Sequence, residues 1–209
     1  YIGSTNPGDV PSESVWSDYA AVSHMDETES GGIAMADATG NTAAGAHSKS
    51  IVREGVIGSA RGRTDATGKN GAMMTVTNCP ALNTAPSFTV SGWLYPTAKP
   101  TWSYLFARKN SDGYKSWGWQ FRSSDGLSPI GIYSCGTTDN DSDRNIFSSS
   151  AITLNTWTKY DVVWQDTSVS LYLNSTLIGT QTIKPTDGMA IDGNLDLTIS
   201  LQGYGGGAH

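Results

Sequence analysis

The sequence predicts an all-β fold, an antiparallel two-sheet sandwich or jelly roll. Three observations carry that expectation. From residue 71 onward, short runs alternate apolar and polar residues and are separated by Gly, Pro, Asn and Asp turns, the pattern of strands with one buried face. No window shows a 3.6-residue apolar period, and charged residues reach only 15% of the 209 residues, against about 25% in an ordinary globular chain. Finally, 24 glycines and seven tryptophans supply turn formers and strand-favouring aromatics. No fixed-length repeat is visible, which argues against a propeller or solenoid.

Taken in order, residues 1–24 form an N-terminal junction and first strand, and residues 25–209 form a single domain. The first 70 residues look irregular, with Ala20–Met25 the first strand-like segment. Ala72–Asn78 alternates, and Pro80 and Pro86 bracket a loop. The strongest strand is SFTVSGWLYP (Ser87–Pro96), with Phe88, Val90, Gly92 and Leu94 on one face and Thr89, Ser91, Trp93 and Tyr95 on the other. Trp102–Asn110 and Ser116–Ser124 flank an SDG turn as a hairpin, followed by a strand at Pro129–Cys135 and an acidic loop, GTTDNDSDRN. Thr156–Ser168 and Val169–Ile183 form further strands that turn at Asn174-Ser175. Asn194–Tyr204 is the last strand.

A net charge of −6, with 13 Lys and Arg against 19 Asp and Glu, excludes the clustered positive field that nucleic acids require. It also disfavours an anionic membrane surface. No run approaches the roughly 18 apolar residues of a membrane span. Cys79 and Cys135 allow one pairing, whose loop of about 56 positions would contribute roughly 3–4 kcal/mol. Two buried thiols are the equal alternative.

No catalytic motif emerges. His24, His47 and His209 accompany no nucleophile elbow, and His24 reads as a packed residue. Asp26, Glu27 and Glu29 have the carboxylates of a glycosidase pair but sit in a loop that no apolar strand positions. The chain is therefore read as non-catalytic. Sugar recognition needs aromatic rings for the C–H faces of the sugar and polar side chains for its hydroxyls. The Trp102–Ser124 hairpin carries both: Trp102, Tyr104, Trp117 and Trp119 beside Arg108, Gln120 and Arg122. Trp117 and Trp119 share one face, with Gln120 and Arg122 on the other, so core filling is the competing reading.

With these motifs in place, the chain resembles the laminin-G-like branch of the concanavalin A-like lectin/glucanase superfamily. SFTVSGWLYPT is similar to that family's "FTVSAWVKP" strand, NTWTKYDVVWQD to its "W-hhvavvwD" strand, and SLYLNSTLIGT to its "lYvNGklvgt" hairpin. MDE (Met25–Glu27) and DATGN (Asp37–Asn41) resemble its opening. The family's matching strands carry aromatics at similar places, so the resemblance implies that Trp93, Trp157 and Trp164 are structural. The resemblance implies a lectin-like, carbohydrate-binding module of a secreted or surface protein, located outside the cell, with a glycan as partner. It also implies one structural calcium ion, held by Asp37 and Asn41 with Glu27 or Asp26 as further ligands. The family's closing strand, "G-x-[IL]-D-E-[VI]-R", follows its Gly-rich turn, and here the sequence stops at GGGAH without it. Clipping or excision of that strand is the favoured explanation. The other is a strand supplied from outside, by another copy or a neighbouring domain, which makes the alternative function a structural or adhesive module assembling with neighbouring chains. A glycan hydrolase is the third reading.

Overall fold

The strand β6 (Ser87–Leu94) shows how the sequence pattern becomes architecture. Phe88, Val90, Gly92 and Leu94 turn inward, while Ser87, Thr89, Ser91 and Trp93 face solvent, as a period of two requires. Its partner β11 (Thr158–Gln165) is buried at every second residue, Thr158, Tyr160, Val162 and Trp164. The two pair antiparallel, Val90 opposite Val162 and Phe88 opposite Trp164.

The structure, a computed structural model, describes residues 15–46, 50–63, 74–77, 79–82, 87–97, 103–108, 116–121, 130–135, 144–147, 152–165, 168–182 and 197–203. In chain order the remaining strands are β1 (Ala34–Met35), β2 (Ala43–Ala46), β3 (Ser50–Glu54), β4 (Ser59–Arg63), β5 (Met74–Thr77), β7 (Ser103–Arg108), β8 (Ser116–Phe121), β9 (Ile130–Cys135), β10 (Arg144–Phe147), β12 (Ser168–Leu173), β13 (Thr176–Thr182) and β14 (Leu197–Gly203). One sheet runs β1-β2-β5-β14-β7-β8-β9-β10, a second runs β13-β12-β11-β6, and β3 and β4 form a separate ribbon. All described pairings are antiparallel. At the β12–β13 turn, Asn174 and Ser175 both take positive φ, the backbone of a two-residue type I′ hairpin.

The two large sheets meet through aromatic side chains. Phe106, Trp117, Trp119 and Phe121 come from the eight-stranded sheet and Phe88, Tyr160 and Trp164 from the four-stranded one. Phe88 stacks on Trp164 at 4.7 Å, Trp117 lies 5.5 Å from Trp164, and the Trp119 and Tyr160 rings meet edge-on at 5.3 Å. Burial pushes the Tyr160 phenol far above its ordinary value, with the Asp161 carboxylate adding to the effect. Gly92 makes room for that ring. A Cβ there would fall 2.5 Å from the Tyr160 hydroxyl and 2.8 Å from its Cζ. Gly92→Ala should destabilise the fold by about 1–3 kcal/mol through overpacking, read as a lower denaturation midpoint. An unchanged midpoint would contradict this packing.

Two expectations need correction. Ala20–Met25 is not a strand. It is held in an irregular path, with Ala38 N–H donating to the Val22 carbonyl and Met25 at φ 57°. The region before residue 70 is also less irregular than its composition suggests, since β1 to β4 lie there. Residues 1–14, the loop 136–143 and the terminus 204–209 lie outside the described residues.

Candidate carbohydrate-binding site

The sequence places its aromatic candidates on the β7–β8 hairpin, and the structure turns two of them, Trp117 and Trp119, inward. Trp117 and Trp119 are 0% exposed. Their rings pack among Phe88, Phe106, Phe121, Tyr160 and Trp164. A sugar needs an open ring face, and these indoles offer none, so as a platform they are corrected to core. Arg108 is 1% exposed, in register with Trp117 across β7 and β8. It lies within electrostatic reach of the Cys79 thiol and is likewise interior. Tyr104 and Gln120 are paired across the two strands, and their side chains lie outside the described residues, as do Trp102 and Arg122.

Of the proposed calcium ligands, Asp37 has both carboxylate oxygens filled by protein donors. Asp37 Oδ1 accepts from the Val22 and Thr39 N–H groups at 2.8 and 3.1 Å. Its Oδ2 accepts from the Thr39 hydroxyl (2.7 Å), the Thr42 N–H (2.9 Å) and the Thr42 hydroxyl (2.7 Å). A carboxylate has about four lone-pair sites, so five donors leave none for a cation, and their protons would repel one. Burial alone would raise this carboxyl, but the Val22, Thr42 and Thr39 donors outweigh it and lower it to about 2. Asn41 donates its side-chain amide to the Tyr19 carbonyl at 3.3 Å. Glu27 accepts from Ala36 N–H at 2.7 Å and from Arg61 at 3.3 Å. Burial opposes ionisation of Glu27, yet its bonds to Ala36 N–H and Arg61 hold its carboxyl below the usual range. Among the described residues no group of three metal-ligating side chains converges, and this arrangement does not fit calcium. It works instead as a staple, tying the irregular N-terminal segment to β1, β2 and β4.

Cys79 is a free, buried thiol whose S–H points to the Ala20 carbonyl at 4.0 Å. Burial pushes its pKa up, with Arg108 pulling partly the other way. The Cys135 side chain lies outside the described residues. His24 is exposed, with its ring 5.6 Å from the Trp16 ring, a surface contact rather than the packed strand position expected.

An open aromatic surface does exist, on the outer face of the four-stranded sheet. Trp93 is 50% exposed and Tyr95, just past the end of β6, is 39% exposed. The half-buried Trp157 ring lies 5.1 Å from Tyr95, with the two planes tilted by 50°. Trp93 stands directly opposite Lys159, and Ser91 opposite Asp161. Lys159 Nζ donates to both Asp161 oxygens at 2.8 and 2.7 Å, and the Ser91 hydroxyl donates to Asp161 Oδ1 at 2.7 Å. Lys159 is fixed further by backbone bonds with Asn174: its N–H donates to the Asn174 side-chain oxygen, and its carbonyl accepts the Asn174 N–H, both at 2.9 Å. The family resemblance implies structural roles for Trp93 and Trp157, and the structure leaves Trp93 half exposed and Trp157 half buried. Alternation along β6 does assign Trp93 to the face opposite Phe88, Val90 and Leu94. That alternation is the signal the sequence carries for an outward ring.

Residues 67–203 match the family model Laminin_G_3, described as the concanavalin A-like lectin/glucanases superfamily. No curated protein matches the sequence. Among solved structures, the binding domain of Paraclostridial Mosquitocidal Protein 1 is similar, with a TM-score of 0.58 at 14% identity, over 81% of this chain and 43% of that one. Domain 4 of AbnA, a GH43 extracellular arabinanase from Geobacillus stearothermophilus, solved with arabinotriose, has a TM-score of 0.55 at 17% identity, over 78% of this chain and 76% of its own. Botulinum neurotoxin type C, in a structure concerned with its two ganglioside molecules, has a TM-score of 0.56 at 17% identity, over 86% of this chain and 42% of that one. The chain thus spans less than half the length of both toxin chains, and at these identities the likeness is one of fold. By the residues its family model matches, and by its paired antiparallel sheets, the chain belongs to the concanavalin A-like lectin/glucanase superfamily, in its laminin-G-like branch.

Proposed function

We propose that this chain is a non-catalytic, lectin-like carbohydrate-binding module of an extracellular or cell-surface protein. One observation carries the reading: a half-exposed tryptophan stands on a rigid sheet beside a hydrogen-bonded Lys159–Asp161–Ser91 set. Apolar ring faces next to charged, hydroxyl-binding groups are what a sugar ring needs, since its C–H face and its hydroxyl rim must be met together. The binding domains with similar folds support the same reading. Glu27, the carboxylate nearest to a hydrolase role, holds Arg61 and Ala36 N–H and is committed to the fold. The purified chain on a glycan array should bind a subset of glycans and release no reducing sugar from them on prolonged incubation. Release of reducing ends, or an array without any bound glycan, would refute the reading.

A further inference from the structure

The outer face of the four-stranded sheet also indicates what kind of glycan it would take, an inference that rests on the carbohydrate-binding reading. Two rows of side chains lie in register along β6 and β11, Ser91 with Asp161 and Trp93 with Lys159, and just past the strand ends the Tyr95 and Trp157 rings form a third pair, 5.1 Å apart. Alternate residues on a strand are about 6.7 Å apart, so the strip runs for about 13 Å, roughly the length of two to three linked sugar rings. Its character changes along that length. One end is an aromatic cleft between the tilted Tyr95 and Trp157 rings. The middle is the open Trp93 indole, and the far end is polar.

The polar end has a definite hydrogen-bonding capacity. An ammonium has three donors, and Lys159 directs two toward Asp161. A carboxylate has about four acceptor sites, and Asp161 uses three of them, two for Lys159 and one for Ser91. Among the described residues, one donor and one acceptor therefore remain, side by side on a pair whose charges cancel. Adjacent sugar hydroxyls match that capacity, one accepting from Lys159 Nζ while its neighbour donates to Asp161. A carboxylated sugar does not match it. It would meet the Asp161 carboxylate, a lysine already neutralised, and a chain of net charge −6.

We infer that the strip formed by Tyr95, Trp157, Trp93, Lys159 and Asp161 binds a neutral oligosaccharide of at least two rings, one ring on the Trp93 indole and a vicinal diol read by the Lys159–Asp161 pair. The test is calorimetric titration with length series of arabinose (one to three units) and cello-oligosaccharides (one to four units), with oligogalacturonates as the acidic counterpart. In at least one neutral series, affinity should rise tenfold or more from the single sugar to the trimer. The acidic series should bind at least tenfold more weakly. Trp93→Ala should weaken binding tenfold or more and Asp161→Asn threefold or more. Thr89→Ala, on the same face of β6 but beyond the strip, should leave affinity unchanged. Near-ultraviolet circular dichroism would confirm that each variant is folded. Glycan binding that survives in folded Trp93→Ala, a preference for the acidic series, or equal affinity for monomer and trimer would overturn the strip while leaving the lectin reading intact. If neither these series nor the array binds, both fall together.

Discussion

Trp119→Ala lowers the unfolding free energy by about 3–5 kcal/mol, the range expected when a large buried aromatic is truncated and its neighbours cannot close the gap. The expectation follows from its position. The indole is 0% exposed and touches Phe106, Phe121 and Tyr160, so it joins both sheets. Denaturant titration should show a lower midpoint with little change in slope. The contrast with Trp93→Ala makes the experiment informative. That side chain is half exposed on the outer face, and its loss should cost less than about 1 kcal/mol. Wild-type stability in Trp119→Ala, or equal losses in the two variants, would mean that the inward and outward faces have been assigned wrongly.

The second large effect belongs to Asp37. Removing its carboxylate leaves five donors without their acceptor, among them the hydroxyl and N–H of the buried Thr39. Asp37→Ala should cost about 2–4 kcal/mol, since buried donors deprived of their partner bear the desolvation penalty. The same group predicts a pH dependence. Folding lowers its pKa from 3.8 to about 2, so its stabilising contribution is complete above pH 4 and is lost as the pH falls toward 2. Because the group is partly exposed, solvent screening reduces that linked contribution to roughly 1–2 kcal/mol. Stability measured between pH 2 and 6 should fall more steeply on the acid side for the wild type than for Asp37→Asn. Parallel curves would show that the carboxylate is not held in this knot.

The sandwich was legible wherever an apolar alternation ran unbroken. Phe88, Val90 and Leu94 on β6, and Tyr160, Val162 and Trp164 on β11, declare their buried face directly, and the structure pairs them. Alternation sorts residues into two sets without always saying which set faces the partner sheet. On β8 the polar Gln120 made the tryptophan face the better core candidate, and their burial decides it. The N-terminal strands had no such signal. β2 reads Ala-Ala-Gly-Ala and becomes a strand because β5 pairs with it, a case of tertiary context outweighing local preference. Arg108 was misread for another reason. Charged side chains are seldom fully buried, so its type pointed to the surface while its register with Trp117 placed it inside. The outer strip is not legible in the sequence, since Trp93, Lys159 and Asp161 come together only through the β6–β11 register, and a single sequence does not show pairings between strands 70 residues apart.

That register also separates two kinds of substitution. On β6 and β11 the even-numbered residues hold the sheets together, while Ser91, Trp93, Lys159 and Asp161 lie on the opposite face and bond among themselves rather than to the core. Residues 91, 93, 159 and 161 can therefore be randomised together in a display library while the interior stays untouched, and the same backbone becomes a frame on which new specificities can be selected.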